Sequence, residues 1–366
     1  MKIQNLQLIL ISLSMLSSLG SCLKPDPLNQ EMISIQPVDI GDGLILSSLS
    51  IEKVDSTALA DIYRDMHDEN LYWQFRSMLV FRNGNLIAES YMKDDADRTT
   101  KHLIWSCTKQ VMGVLTGIAL EEGLIESIDD PISKYLPEEI ARHPDKADIS
   151  LRNLLTMQSG IDYSNDGAAG QTDKILRQIP DDITDFILSR PMYAEPGTDF
   201  YYKDGDPQLV SAILQSAAGK PADAWADEVL FSKIEFRNYS WTRYRDGVSL
   251  GGFGIETTPR ELAKFALCVA DSGRYKGKRI VDPDWLGQMT SEIIVADEDF
   301  SFGFYWWINT TRNIQLMWGH GGQFAFIVPS KDLVVIMTSL PNTQGDHQIH
   351  ALDGLEIVDR IINISQ

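Results

Sequence analysis

Ser106-Cys107-Thr108-Lys109 heads a run of helical composition, 111–122, that stops at Gly123. On a helix, Ser-x-x-Lys sets a hydroxyl and an amine one turn apart on the same face. The preceding His102-Leu103-Ile104-Trp105 is mostly apolar and extended in character. Ser106 therefore falls in a first helical turn, where unpaired backbone N–H groups and the helix dipole favour developing negative charge. That is a useful place for an acyl-transfer nucleophile. A capping serine beside a solvated lysine carries the same signature, so the pattern needs partners elsewhere in the chain.

On the N-terminal side, Ser77-Met78-Leu79-Val80-Phe81 and Leu86-Ile87-Ala88-Glu89-Ser90-Tyr91 flank Arg82-Asn83-Gly84-Asn85. Asn-Gly between two strand-like runs predicts a β-hairpin. On the C-terminal side the chain reads as helices and loops to about 290, with helices predicted over 108–122, 150–157, 181–189, 206–218, 221–229 and 258–272. Aromatic and β-branched runs at 302–309, 315–318, 323–328 and 333–340 predict strands, and 353–362 an amphipathic helix. Strands at both ends with helices between them predict an α+β fold: one antiparallel sheet flanked by terminal helices, with an inserted mainly helical domain. The sheet domain is expected over 51–104 and 292–366, and the helical domain over 105–291.

The N-terminus predicts export. Met1-Lys2 precedes an apolar run, 6–19, and Leu19-Gly20-Ser21-Cys22 follows. This is a secretory signal over 1–21, too short for a comfortable span. The Leu-Gly-Ser-Cys order resembles a bacterial lipobox, so Cys22 is expected to carry lipid. Residues 22–50, with Pro25, Pro27 and Pro37, then form a tether, and the protein sits in the cell envelope on the periplasmic or outer side. Its contact with the membrane is through that anchor. Cys107 and Cys268 are the remaining thiols, too few for a disulfide framework, so stability must come from a core. Asp plus Glu number 52 against 32 Lys plus Arg, a net charge of −20, which disfavours nucleic acid as a partner.

Serine chemistry needs a base, oxyanion donors and a proton route to the leaving group. Pro196-Gly197-Thr198-Asp199-Phe200-Tyr201-Tyr202-Lys203-Asp204 lies in a loop before a helix. Tyr202 beside Lys109 would have its phenol pKa lowered by the cation, and would take and return the serine proton. Trp318-Gly319-His320-Gly321-Gly322-Gln323 precedes an apolar strand, and its glycines permit close approach of a ligand. The N–H of Gln323 is a candidate to join that of Ser106 as an oxyanion hole. Gly247-Val248-Ser249-Leu250-Gly251 offers a competing Gly-x-Ser-x-Gly nucleophile elbow, but it lacks the helix directly after the serine that an α/β-hydrolase requires. Of six histidines only His347-Gln348-Ile349-His350 is closely spaced, without a carboxylate–cysteine cluster, so neither a metal nor another cofactor is expected.

Taken together these blocks resemble the serine β-lactamase-like superfamily: class C β-lactamases, penicillin-binding proteins, and related esterases and amidases. The resemblance runs from about Leu79 to Ser339 and includes Ser106-Cys107-Thr108-Lys109, Asp129-Asp130-Pro131-Ile132, Leu154-Leu155-Thr156-Met157-Gln158-Ser159-Gly160, Pro196-Gly197 and Gly251-Gly252-Phe253-Gly254. It implies Ser106 as nucleophile, Lys109 as its activator and Tyr202 as the tyrosine of a Tyr-x-Asn element. His320-Gly321-Gly322 would match the Lys/His-Thr/Ser-Gly strand, and the Gly-Gly-Gln form resembles the 6-aminohexanoate-oligomer hydrolase and carboxylesterase branch. Two departures stand out: Asp204 replaces the asparagine, which puts substrate amide binding there in doubt, and His320 replaces a lysine. The resemblance implies a serine hydrolase acting on a small or peptide-like ester or amide, and the two departures predict weak or absent β-lactamase activity. A penicillin-recognising lipoprotein that acylates without turnover, and an esterase working through Ser249, are the alternatives.

Overall fold

Asn83 and Gly84 both adopt positive φ, 51° and 76°, the pair a two-residue hairpin turn requires. They join β1 (Phe75–Arg82) to β2 (Asn85–Tyr91), with a bulge between Val80 and Phe81. The computed structural model describes residues 34–68, 72–163, 181–341 and 349–365. The signal 1–21, Cys22, the first part of the tether and His347 lie outside them.

β1 pairs on its other edge with β13 (Leu333–Ser339), from Arg82 opposite Leu333 to Phe75 opposite Ser339. The two ends of the chain thus share one sheet. Beyond β13 come β12 (Gln323–Val328), β11 (Ile314–Gly319), β10 (Trp307–Asn309), β9 (Ser301–Phe302) and β8 (Ile294–Val295), every pair antiparallel. The expected strand over 302–309 is two strands. Gly303 N–H bonds to Trp306 O (2.8 Å), and the chain turns between them, with Tyr305 at φ 64°. A Cβ at Gly303 would lie 2.3 Å from Met289 O, so only glycine fits there.

Every residue of β12 and β13 is buried, as expected for strands covered on both faces. Helix α1 (Ser56–His67) is capped by Asp55, buries Leu59, Ile62, Tyr63 and Met66, and sends Tyr63 Oη to Met78 O (3.1 Å). The C-terminal helix Ala351–Asn363 packs on α1 and β12. Its Gly354 passes so close to Phe326 that a Cβ would sit 2.6 Å from the ring. The helix Pro259–Ala270, capped by Thr258 with proline at its first turn, lies against β13, β12 and β1.

The helical region begins with α2 (Thr108–Glu121), buried from Thr108 to Ala119. It packs on the helix Gly205–Ala218, which also receives Leu151–Leu155 and Ile183–Leu188. The expected helix over 150–157 stops early because Met157 is left-handed (φ 58°), and that over 221–229 is an α-helical turn, Ala222–Ala226, continuing as a π-turn, Asp227–Phe231. A small second sheet, β3 (His102–Leu103), β5 (Ile255–Thr257) and β4 (Tyr239–Trp241), escapes a reading based on periodicity because its strands are two or three residues long. Among the described residues no helix is long and apolar enough to cross a membrane.

Candidate active site

Ser106 lies in the single 3-10 turn Trp105–Cys107 that leads into α2. Trp105 adopts φ 51°, a strained value for a bulky residue and a common mark of functional turns. The turn is pressed against β11 and β12. A Cβ on Gly319 would lie 2.3 Å from Ile104 O and 3.2 Å from Cys107 Sγ, so glycine is needed for the approach. Cys107 Sγ–H donates to Gln323 O (3.3 Å), tying the serine turn to the first residue of β12. Cys107 and Cys268 are both buried free thiols, and burial pushes the Cys107 thiol up, away from reactive thiolate.

Lys109 is fully buried, which removes the solvated-lysine reading of Ser-x-x-Lys. Its Nζ donates to Ser106 Oγ (2.7 Å), Asp204 Oδ1 (2.6 Å) and Gly252 O (2.7 Å). Three acceptors around one ammonium offset a desolvation cost of several kcal/mol. Burial alone would lower the Lys109 pKa, but the charge of Asp204, followed by Tyr202, reverses this and the net direction is upward. Gly252 went unrecognised as a lysine partner because its contribution is a backbone carbonyl. Its lack of side chain is the one sequence cue, since a Cβ would sit 2.9 Å from Asp204 Cβ.

Lys109 Nζ lies 4.9 Å from the Tyr202 ring centroid, and both Lys109 and Ser106 pull the phenol pKa down. The ring packs on Trp307 (5.4 Å) and edge-on to Phe302 (6.1 Å). The expected lowering of the Tyr202 pKa is corrected here. Burial raises it by more than Lys109 lowers it, and Asp204 adds to the rise, so the phenol rests protonated. Asp204, where substrate amide binding was in doubt, forms an ion pair with Lys109.

His320 is half-buried and stands edge-on to Trp105 (5.1 Å). Burial lowers its pKa, so the imidazole is neutral at pH 7. Gly321 and Gly322 turn at φ 74° and 92°, and a Cβ on Gly322 would meet Ser339 Oγ at 2.9 Å. The Gln323 side chain is buried and bonded to the backbone of Ser339 (2.8 and 3.3 Å), which leaves its main chain as the part adjoining the serine turn.

Ser249 belongs to a different place. It is fully buried, donates to Asp223 Oδ1 (2.7 Å) and accepts from Asp223 N (3.1 Å). Its carbonyl accepts from Ser211 Oγ (2.7 Å) and Gln208 Nε2 (3.2 Å). No helix follows it directly and the main sheet is antiparallel, so it is a structural serine and not the elbow of an α/β-hydrolase. Among the described residues no group of three His, Cys, Asp or Glu is placed to hold a metal ion.

The 6-aminohexanoate-dimer hydrolase of Paenarthrobacter ureafaciens is 25% identical over 297 residues, 74% of each chain. A putative 6-aminohexanoate-dimer hydrolase from Bacillus anthracis superposes with a TM-score of 0.71 at 18% identity, covering 92% of this chain and 90% of the other. A family VIII carboxylesterase superposes with a TM-score of 0.67 at 16% identity, covering 91% and 100%. The family model described as beta-lactamase matches residues 76–359, and the chain belongs to that family.

Proposed function

We propose that this protein is a serine hydrolase that cleaves an ester or amide through an acyl-enzyme on Ser106. The observation that carries the reading is the buried Lys109 Nζ, 2.7 Å from Ser106 Oγ and 4.9 Å from the centroid of the Tyr202 ring. Ser106 Oγ attacks the carbonyl carbon as its proton enters the Lys109–Tyr202 pair. The carbonyl oxygen rests between the N–H groups of Ser106 and Gln323. Tyr202 returns a proton to the leaving atom as the bond to carbon breaks, and water then cleaves the acyl-enzyme by the same steps in reverse. The relative named as a 6-aminohexanoate-dimer hydrolase and the neighbour named as a carboxylesterase support an ester or open-chain amide over a β-lactam. The neutral His320 supports the same choice, because it holds a substrate carboxylate less firmly than an ammonium would. The signal-like 1–21 and Cys22 support an envelope location, tested by loss of palmitate incorporation in Cys22→Ser.

Steady hydrolysis of p-nitrophenyl butyrate or of a 6-aminohexanoyl amide tests the reading. Ser106→Ala should lower kcat/KM by about a thousandfold or more. A stoichiometric burst with no steady state would identify instead a binding or sensor protein that acylates without turnover.

A further inference from the structure

We propose that the Gln323 side chain and the Cys107 thiol together clamp the Gln323 main chain where its N–H serves as an oxyanion donor. This rests on the hydrolase reading above. Both residues are buried, and neither side chain makes or breaks a bond to substrate. They are positioning residues that act through the backbone.

One arm of the clamp replaces strand pairing. The register of β12 with β13 runs from Val328 opposite Leu333 to Phe324 opposite Met337. At Gln323 the side chain takes over: Gln323 Nε2 donates to Ser339 O (2.8 Å), and Ser339 N donates to Gln323 Oε1 (3.3 Å). A primary amide carries the donor and acceptor of a peptide group, so it satisfies the buried end of β13 without the Gln323 main chain.

The other arm comes from the serine turn. Cys107 Sγ–H donates to Gln323 O (3.3 Å), and burial keeps the thiol protonated and therefore a donor. Gly319 stands opposite Gln323 in the β11–β12 register, and a Cβ on it would lie 3.0 Å from Gln323 Cβ and 3.2 Å from Cys107 Sγ. Gly322, at φ 92°, is as tightly enclosed, since a Cβ there would lie 2.9 Å from Ser339 Oγ and 3.0 Å from Ile349 Cβ. The Gln323 N–H thus sits between a pinned carbonyl, a pinned side chain and a glycine with no room to shift. Cys107 is also covalently next to Ser106, so its bond to Gln323 O sets the spacing between the two oxyanion donors. Such donors work only within a few tenths of an ångström of their best distance from the oxyanion, so small slippage is costly to the transition state.

The test measures kcat and KM for p-nitrophenyl butyrate, and the inhibition constant of phenylboronic acid, whose tetrahedral serine adduct places an oxygen in the hole. It compares wild type with Gln323→Met, Cys107→Ala and Cys107→Ser. Exhaustive fluorophosphonate labelling counts competent sites, so a variant that is merely less stable shows fewer sites with an unchanged kcat for each. Gln323→Met should lower kcat per site by about tenfold to a hundredfold, with KM within about threefold and boronate affinity falling with kcat/KM. Cys107→Ala should lower kcat by about tenfold, and Cys107→Ser, which keeps a donor, should recover part of that loss. The two Cys107 variants carry the test if Gln323→Met fails to fold. The proposal is overturned if kcat per site is unchanged, if the loss falls on KM alone, if boronate affinity does not follow kcat/KM, or if Cys107→Ser is no better than Cys107→Ala. A wild type labelled elsewhere than Ser106 would overturn the hydrolase reading and the proposal with it. A wild type labelled on Ser106, with variants of unchanged kcat, would overturn the clamp alone.

Discussion

Replacing Asp206 by asparagine exposes an electrostatic cost built into the segment that carries Tyr202. Asp206 is fully buried and accepts from Ser159 Oγ (2.6 Å) and Ser159 N (3.4 Å). Lys203 Nζ, also fully buried, lies 3.5 Å away and about equally far, 5.5 and 5.6 Å, from the ring centroids of Tyr193 and Tyr201. Burial raises the Asp206 carboxyl to about 6, against the pull of Lys203 and Ser159. In the unfolded chain an aspartate titrates near about 3.9, so the gap is about two units, or about 3 kcal/mol at about 1.4 kcal/mol per unit. Since the folded value is the higher one, this contribution to stability is fully present below about pH 4 and is lost as pH rises through about 6. Urea unfolding of wild type and Asp206→Asn at pH 4 and pH 7 measures it. The variant's stability relative to wild type should rise by about 3 kcal/mol between the two pH values, because the amide does not ionise. A relative stability that is constant or falls over that interval would refute the reasoning.

Ser249→Ala should leave catalytic turnover intact while losing about 1 kcal/mol of stability with its bonds to Asp223, read by thermal melting and ester hydrolysis. Gly117→Ala should destabilise by about 1 to 3 kcal/mol in denaturant unfolding, because a Cβ there would lie 2.0 Å from the Trp285 ring that packs on α2. Nitrocefin hydrolysis should be weak or absent in a direct absorbance assay, and potent turnover comparable to a resistance enzyme would contradict the roles given to His320 and Asp204.

Much of the sheet was legible because its signals are local. Asn83-Gly84 sets its own turn, and 323–328 and 333–340 are apolar enough to read as covered strands. The Ser106–Lys109 contact was legible for the same reason, since three residues on a helix fix it. What the sequence concealed is environment. The rise in the Tyr202 pKa comes from packing by Phe302 and Trp307, about a hundred residues downstream, which no local pattern encodes. The pairing of Asp204 with Lys109 and the part played by Gly252 O depend on three separate segments meeting, and one of them supplies only backbone. The break at Gly303 follows from contact with Met289 O and leaves no trace in the strand-like composition around it.

Covalent labelling with a fluorophosphonate, followed by peptide mapping and intact-mass measurement, bears most directly on the proposed nucleophile. A single adduct on the Ser106 peptide is expected, absent in Ser106→Ala and retained in Ser249→Ala. An adduct that persists in Ser106→Ala, or that maps to the Ser249 peptide, would contradict the account.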